Sequence, residues 1–277
     1  MLIFDRQHVK KLPVLLLIKR RKVFYMIKVI MHGCNGKMGQ IITRLIDEEE
    51  DMEIVAGVDV SENVQNTYPV YKRISSCDRK ADVIIDFSSP SCTDALLDYC
   101  VEKQVPVVLC TTGLTPEQIT SIQKASEKVA VLKSANMSMG INLLQKVLGD
   151  VAPVLAQAGF DIEIVEKHHN MKKDAPSGTA LALGDSVNEA LSGEYEYVYD
   201  RSGRSISRPK KEIGFSAVRG GTIVGDHDVI FAGEDEVITF SHRAYSRAVF
   251  GKGAVQAAKF LKGKGPGMYD MSDVINA

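Results

Sequence analysis

Short apolar runs alternate with amphipathic segments through the first half of the chain. The strand-like runs cover residues 27–31, 54–60, 83–87, 105–109 and 129–133, and helical spacing is seen over 41–47 and 95–101. A further helix is predicted after Thr115, because threonine at the cap and proline at the first helical position form a start pattern. Strands that alternate with helices predict a parallel, doubly wound sheet.

The pattern changes after Asn136. The elements predicted there are helices over 141–155, 179–191 and 254–261 and a strand over 160–165. Residues 223–232 and 236–244 are alternating runs joined by a short polar turn, which predicts an antiparallel hairpin. We expect residues 194–212 to form a loop and the residues after the last helix to form a glycine-rich tail.

Composition narrows the class of protein. The chain has 277 residues, 45% of them hydrophobic and 25% charged, as in an ordinary globular protein. A formal net charge of -1 offers no general attraction to nucleic acid or to an anionic membrane, so neither partner is expected. The five cysteines are odd in number and none forms a CxxC pair, which favours a reduced, cytoplasmic protein over a disulfide framework or a zinc ribbon.

The N-terminal residues differ from the rest. An apolar run over 12–18 is followed at once by four basic residues at 19–22, which fits neither a secretory signal nor a membrane span. Met26 stands directly before the first strand-like run. We therefore predict that residues 1–25 are an extension outside the fold, and either Met1 or Met26 could be the start.

A glycine-rich segment joins the first predicted strand to the first predicted helix. Its residues are Gly33, Cys34, Asn35, Gly36, Lys37, Met38 and Gly39. Glycine lets the backbone turn sharply and approach a ligand, and free N–H groups at a helix start attract a pyrophosphate. The spacing is GxxGxxG rather than GxGxxG, and Asn35 replaces a glycine, which its tolerance of positive φ allows. The context predicts a dinucleotide site, with a plain strand–helix turn as the alternative.

An acidic residue supports the dinucleotide interpretation. Asp59 ends the second apolar run, about 20 residues after Gly39. A carboxylate there can accept hydrogen bonds from the adenosine ribose hydroxyls, and its charge repels a 2′-phosphate. Val60 follows it in place of an arginine, so the sequence favours NADH over NADPH, although both stay open. A solvated loop acid is the simpler alternative.

Two later loops complete the predicted cofactor site. Each follows a predicted strand, and ligands bind open α/β sheets at the carboxyl ends of their strands. The candidate residues are Cys110, Thr111, Thr112, Ser134, Ala135, Asn136 and Met137. Small side chains at these positions allow backbone groups to close over a nicotinamide.

A polar loop and the helix start that follows it carry the other candidate chemistry. His168 and His169 are adjacent, and either could donate a proton near neutral pH. Lys172 adds a positive charge, and the amides of Gly178 and Thr179 at the helix start can hold an anion. This combination suits a carboxylate substrate that gains a hydride and a proton. A metal site is not expected, because no further histidine or cysteine has ligand spacing.

At these residues the chain resembles the dihydrodipicolinate reductase family. The family signature is E-x-H-H-x-x-K-x-D-A-P-S-G-T-A, and residues 166–180 match every fixed position. Similarity extends from about Met26 to the C-terminus. Lys37 stands where the family often has arginine and Met137 where it often has phenylalanine, and neither change removes a chemical function.

The resemblance implies an α/β protein with an N-terminal Rossmann domain and an inserted α+β domain for substrate binding and oligomerisation. The implied bounds are residues 26–137 plus 250–277 for the dinucleotide-binding domain. Residues 138–249 are implied to form the substrate-binding and tetramerisation domain. The implied assembly is a homotetramer.

The resemblance also implies a reaction and residue roles. The reaction is the NAD(P)H-dependent reduction of 4-hydroxy-2,3,4,5-tetrahydrodipicolinate to tetrahydrodipicolinate in lysine and diaminopimelate biosynthesis, with loss of water. His168 is implied as the proton donor to the ring, and Lys172 as the group that assists departure of the hydroxyl. His169 and the amides of Gly178 and Thr179 are implied to hold the carboxylates. Removal of the hydroxyl by enzyme or by solvent stays open.

Two other functions also stay open. Another Rossmann-type oxidoreductase of amino-acid or sugar metabolism would share the glycine turn without needing the two histidines and the lysine. A dinucleotide-binding sensor without turnover could dispense with His168 and Lys172. No site role is predicted for Arg219, Gly220, Gly221, His227 and His242. An oligomerising hairpin domain needs such turn and interface residues in any case.

Overall fold

A computed structural model describes residues 26–62 and 64–277. The predicted extension over residues 1–25 lies outside the described residues. The described strands form one sheet of seven strands and one of five. The larger sheet combines strands from the first half of the chain with one strand near the C-terminus, and the smaller sheet contains the rest.

All strand pairs of the larger sheet are parallel. Its strands, numbered in chain order, are β1 (Ile27–His32), β2 (Met52–Val58), β3 (Val70–Tyr71), β4 (Val83–Asp86), β5 (Val107–Leu109), β6 (Ala130–Leu132) and β12 (Gly267–Tyr269). They lie in the order β12-β6-β5-β4-β1-β2-β3. One face packs on α1 (Lys37–Asp47), α6 (Ala248–Leu261) and α7 (Met271–Ile275), and the other on α2 (Thr93–Lys103) and α3 (Pro116–Ser126). The predicted doubly wound, Rossmann-type α/β fold is confirmed.

Burial on both faces explains the continuous apolar runs. In β1, the neighbours Ile30 and Met31 are both fully buried, but they belong to different hydrophobic clusters. Met31 packs on the side of α1 and α6, and Ile30 on the side of α2 and α3. Successive residues of such a strand must therefore be apolar, and the five predicted runs correspond to β1, β2, β4, β5 and β6.

The start of α3 follows the predicted capping pattern. The side chain of Thr115 accepts a hydrogen bond from the amide of Gln118 at 3.3 Å. The Gln118 side chain in turn accepts one from the amide of Thr115 at 3.1 Å. These reciprocal bonds satisfy two amides that a helix start leaves unpaired, and the helix predicted after Thr115 is confirmed.

The smaller sheet is mixed. Its strands are β7 (Asp161–His168), β8 (Glu196–Val198), β9 (Glu212–Arg219), β10 (Gly225–Ala232) and β11 (Val237–Ala244), in the order β11-β10-β7-β9-β8. One face packs on α4 (Met139–Gln157) and α5 (Gly178–Ala190). The predicted antiparallel hairpin is confirmed as β10 and β11. Antiparallel pairing does not extend to β7–β9 and β8–β9, which are parallel. The chain passes from β7 to β9 by way of α5 and β8, and from β8 to β9 through residues 199–211.

Four strands and one helix were not expected from the sequence, among them β3, whose two residues pair with β2. Residues 194–212, predicted as a loop, contain β8 and lead into β9, and the predicted glycine-rich tail contains β12 and α7. Strands β8 and β12 have three residues each, so they are too short to show a period, and they exist through pairing with β9 and β6. Asp270 starts α7 through reciprocal capping bonds with Asp273.

The C-terminal segment lies on the larger sheet. Helix α6 packs against α1, and β12 pairs with β6. The division into domains at residues 137/138 and 249/250 stays a prediction. Within the described residues, no helix has both the length and the apolar character that a membrane span requires.

Candidate active site

The turn after β1 leaves no room for side chains at two of its glycines. Gly33 has φ +81°, and an ideal Cβ there would lie 2.5 Å from the carbonyl oxygen of Phe87. A Cβ on Gly39 would lie 2.2 Å from the carbonyl oxygen of Gly33. Helix α1 then begins after Gly36, which supplies no side-chain cap. A tight turn before an uncapped helix start is the geometry that binds a pyrophosphate.

Asp59 lies against this turn. Its carboxylate accepts hydrogen bonds from the amides of Asn35 and Ser61, each at 2.9 Å. The Asn35 side chain donates to the carbonyl of Ser61 and accepts from Asn66 at 2.8 Å. Among the described residues outside glycine, positive φ occurs only at Gln104 and Ser192, so the tolerance of asparagine for positive φ is not used at Asn35. Asn35 instead uses its side chain to tie the turn to the loop after β2.

A cavity of about 450 Å³ opens beside the turn and contains part of the predicted cofactor site. Gly33, Gly36 and Asp59 line it, together with residues after β4 such as Ser88. Lys72 and Arg73 also line it, and sequence analysis did not single them out. Lys72 is exposed and pairs with Glu62 at 2.8 Å. The cavity therefore combines an acidic residue with two basic ones.

The side chains of several predicted cofactor residues are directed away from solvent. The side chains of Cys34 and Met137 are buried in the hydrophobic cluster beneath α1 and α6. Burial raises the pKa of the Cys34 thiol to about 12 and raises that of Cys110 well above its ordinary value, so both stay protonated. Met38 is a partly buried neighbour of the same cluster, and Lys37 is exposed at the start of α1. Any contact of Cys34 and Met137 with a ligand is thus through N–H and C=O groups.

The two later loops lie in different surroundings. Thr111 is buried and donates a hydrogen bond to Asp86 at 2.6 Å, and Thr112 beside it is exposed. Ser134 and Ala135 line a second cavity of about 630 Å³ between β6, α4 and α5, so the structure does not place them in the cavity beside Gly33.

Asn136 joins the predicted cofactor residues to the predicted substrate residues. Its side-chain amide donates to the hydroxyl of Thr179 at 2.9 Å, and its oxygen accepts from the amide of Ser138 at 2.8 Å. Thr179 lies in the first turn of α5, which Ser177 caps by accepting the amide of Ala180 at 3.1 Å. The loop after β6 therefore meets the candidate anion-binding helix start directly.

His168 is held by a buried carboxylate. It is the last residue of β7, and its Nδ1 lies 2.6 Å from Glu166 Oε2. Arg219 donates two hydrogen bonds to the same carboxylate, each at 2.7 Å, in a bidentate arrangement. The amide of Ser177 donates to Glu166 Oε1 at 3.0 Å. Because the carboxylate accepts from all three groups, His168 keeps its Nδ1 proton and turns Nε2 toward Gly225.

Hydrogen bonds to backbone carbonyl groups hold the loop after β7 against Arg219 and Gly220. Its guanidinium donates to the carbonyl of Asp174 at 2.6 Å, and the amide of Gly220 donates to the carbonyl of His168 at 2.9 Å. Lys172 is mostly covered and pairs with Asp174 at 2.9 Å. His169 follows the end of β7 and is partly exposed. The structure thus places His168, His169 and Lys172 on one short loop ahead of α5.

The environment sets the protonation of this group. Burial lowers the pKa of His168, and the Glu166 carboxylate opposes that shift. Burial alone would raise the pKa of Glu166, but hydrogen bonds from Arg219 and His168 outweigh it and lower that pKa. Glu166 is therefore ionised, while Arg219 balances its charge so that His168 is not fixed in the charged form.

Residues without a predicted role also contact this network. His227 Nε2 lies 3.1 Å from Ser177 Oγ, and its ring packs edge-on against His168 with centroids 5.2 Å apart. Burial, followed by the nearby His168 charge, lowers the pKa of His227 to about 4, so this ring is neutral. His242 Nε2 lies 3.3 Å from Ser138 Oγ, at the start of α4. The pairing of β7 with β9 places Arg219 opposite His168, and no sequence pattern reveals that register.

The family models that match this chain agree with the resemblance seen in its sequence. The N-terminal model of dihydrodipicolinate reductase matches residues 27–137, and the C-terminal model matches residues 140–275. A 4-hydroxy-tetrahydrodipicolinate reductase from Caldanaerobacter subterraneus is 51% identical over 254 residues, which cover 90% of this chain and 98% of the relative. One from Clostridium tetani is 49% identical over 92% of this chain and 100% of the relative.

Solved structures give the same result. A dipicolinate-bound dihydrodipicolinate reductase from Paenisporosarcina sp. TG-14 has a TM-score of 0.74 at 26% identity, covering 90% of this chain and 99% of that one. A diaminopimelate (DAP) dehydrogenase from C. glutamicum has a TM-score of 0.53 at 14% identity, which shows a shared fold alone. The two family models together span nearly all described residues. The chain belongs to the dihydrodipicolinate reductase family.

Proposed function

We propose that this chain is an NAD(P)H-dependent 4-hydroxy-tetrahydrodipicolinate reductase. It reduces 4-hydroxy-2,3,4,5-tetrahydrodipicolinate to 2,3,4,5-tetrahydrodipicolinate, in the biosynthesis of diaminopimelate and lysine. The names of its relatives and the dipicolinate bound to one of them support this substrate class. The observation that carries the proposal is the bond between Asn136 and Thr179, because it joins the loop after β6 to the helix start that follows His168 and Lys172.

The residues of the chain divide the chemistry as follows. The nicotinamide, when bound, supplies a hydride to the ring of the substrate. His168 donates a proton from Nε2 to the ring, and Lys172 assists the hydroxyl, which leaves as water with a proton from the neighbouring ring carbon. His169 and the amides of Gly178 and Thr179 hold the two carboxylates, which a helix start favours through its N–H groups. One hydride and one proton enter, and one water leaves.

A direct assay tests the proposal against another Rossmann-type oxidoreductase. The unstable substrate can be generated in place from pyruvate and aspartate semialdehyde by the preceding synthase, and NAD(P)H oxidation followed by its absorbance. We expect oxidation that depends on the synthase and on this protein. Failure to oxidise either NADH or NADPH under these conditions would exclude the proposed reaction.

NADH is proposed as the preferred cofactor, by a small margin. Asp59 repels a 2′-phosphate, whereas Lys72 and Arg73 add positive charge to the same cavity and favour it. We expect Asp59→Asn to lower the ratio of kcat/KM with NADH to kcat/KM with NADPH by about fivefold. This change corresponds to a difference of roughly 1 kcal/mol in favour of NADPH. Lys72→Ala is the matched control and should shift the ratio the other way. An unchanged ratio in Asp59→Asn contradicts this assignment.

The assembly is proposed to be a homotetramer formed through the smaller sheet. Helices α4 and α5 cover one face of that sheet, while Val218 and Val237 on β9 and β11 are 45% and 63% exposed. Sedimentation equilibrium at micromolar concentration checks this, with a mass four times that of the chain expected and a monomer contradicting it. A cytoplasmic location is proposed because all five cysteines are free.

Glu166→Gln is expected to lower kcat by roughly 10- to 100-fold, the range seen when a group that orients a functional histidine is removed. The change also removes the negative charge that opposes the lowered pKa of His168, so the fall in rate should begin at lower pH. The measurement is kcat against pH. Glu163→Gln is the matched control, since Glu163 pairs with Arg201 and Arg208 instead. A destabilised variant with an unshifted pH profile would argue that Glu166 is only structural.

A further inference from the structure

A buried histidine–carboxylate pair lies at the carboxyl end of the larger sheet. His32 is the last residue of β1 and Asp86 the last of β4, and the two are direct partners in the parallel pairing. His32 Nδ1 lies 2.7 Å from Asp86 Oδ1. His32 is 4% exposed and Asp86 is fully buried. Neither residue has a role in the cofactor binding or the proton transfer proposed above.

Asp86 holds the ends of three strands together. Its Oδ1 also accepts from the hydroxyl of Ser88 at 2.6 Å and from the amide of Ser88 at 3.2 Å. Its Oδ2 accepts from the hydroxyl of Thr111, just after β5, at 2.6 Å. The loops that follow β1, β4 and β5 are those of the proposed cofactor site. One carboxylate therefore fixes the relative positions of all three.

The pairing also sets the hydrogen-bonding character of the ring. Because Asp86 accepts from the other groups around it, Nδ1 of His32 is the donor, and in the tautomer that carries its proton on Nδ1 the ring presents Nε2 as an acceptor. Within residues 26–62 and 64–277, the His32 side chain makes no other hydrogen bond, while its carbonyl accepts from the amide of Phe87 at 2.9 Å. His32 lines the cavity that also contains Gly33 and Asp59, so the exposed part of its ring faces that cavity.

A purely structural position here would not need a polar pair. Ile30 and Ile84, which belong to the same two strands and point to the same side of the sheet, are fully buried aliphatic residues. Burying a histidine and a carboxylate is costly unless both are hydrogen-bonded, and an aliphatic residue would avoid that cost. A polar side chain that lines a ligand cavity in place of an aliphatic one indicates a binding role.

We propose that His32 is a cofactor-binding residue. Its Nε2 accepts a hydrogen bond from a hydroxyl or amino group of the adenosine half of the dinucleotide, and Asp86 orients the ring for it. The adenosine half is favoured because Asp59, the proposed partner of the adenosine ribose, lines the same cavity. The inference rests on the proposed function, since it requires a nicotinamide dinucleotide to bind beside Gly33.

Calorimetric titration of the full-length protein with NADH and with ADP-ribose tests the inference. His32→Ala is expected to weaken both ligands by about three- to tenfold, the effect of losing one neutral hydrogen bond. Equal loss for the two ligands is expected because ADP-ribose retains the adenosine half. The KM for NADH should rise by a similar factor. His32→Gln keeps a polar end and should recover part of the affinity.

Met31→Ala is the matched control. Met31 is the neighbour of His32 on β1 but points into the cluster on the other face, so its loss should lower the melting temperature without changing either affinity. Affinities that are unchanged in both His32 variants overturn the inference, and a fall in melting temperature alone would leave the pair a structural one. Wild-type protein that binds neither ligand would instead refute the proposed function.

Discussion

His168→Gln is expected to lower kcat by about 10²- to 10⁴-fold, the usual contribution of a positioned general acid. Glutamine can still accept or donate at the Glu166 side, but it cannot transfer a proton near neutral pH. The affinity for NADH, measured by fluorescence titration, should be unchanged because His168 lies on the smaller sheet. A variant that retains more than about a tenth of the wild-type kcat would contradict the assignment of His168 as proton donor.

The same residue sets the pH dependence. A proton donor acts in its protonated form, so the rate falls as pH rises through its pKa. Burial lowers the pKa of His168. The value of kcat/KM reports the free protein, so it should begin to fall at a pH below the ordinary pKa range of histidine. The two negative charges of a bound dicarboxylate favour the charged ring, and kcat should therefore fall at higher pH than kcat/KM. His168→Gln should lack this fall, and its persistence there would assign it to another group.

Lys172→Ala is expected to lower kcat/KM for the dicarboxylate by about 10²- to 10³-fold, as when one donor to a developing charge is removed. Lys172 is mostly covered and has Asp174 as its partner at 2.9 Å, so its ammonium is held on the loop that precedes α5. The KM for NADH should change by less than about twofold, because this charge lies in the other half of the site.

Lys173→Ala provides the matched control for Lys172→Ala. Lys173 is the adjacent lysine on the same loop and is exposed. Its loss changes the net charge by the same amount, and we expect activity close to that of the wild type. Equal losses in the two variants would mean that the loop attracts substrate by general charge rather than through one ammonium group. Lys172→Arg should restore only part of the activity, because the planar guanidinium does not replace a compact ammonium.

Local patterns predicted the larger sheet well. Continuous apolar runs mark strands that are buried on both faces, and the glycine spacing after β1 requires a turn without side chains. Strand β12 was not predicted. Its three residues are too few to show a strand pattern, and they form a strand because they pair with β6, which is far away in the chain. The parallel pairing of β7 with β9 escaped for the same reason, since register depends on the path of the whole connection.

The residues of the candidate site stay a prediction, and most of the contacts among them could not be read from the sequence. Alternation along β7 places Ile162, Ile164, Glu166 and His168 on the face that α4 and α5 cover. If the alternation is continued along the strand, His168 lies on the covered face and His169 on the other. The strand was predicted to end at residue 165, so the sequence analysis could not make this distinction. Arg219 could not be found in this way, because its contact with Glu166 joins residues that are 53 positions apart.

The position of α6 has a consequence for the order in which the protein matures. Its residues Ala254, Val255 and Ala258 are buried in the same cluster as Met31 of β1, and β12 follows them at the edge of that sheet. A ribosome makes this segment only after the entire smaller sheet. The strands and helices of the larger sheet that emerge first thus keep an open hydrophobic face until the smaller sheet has been made, and this face is prone to aggregation during synthesis.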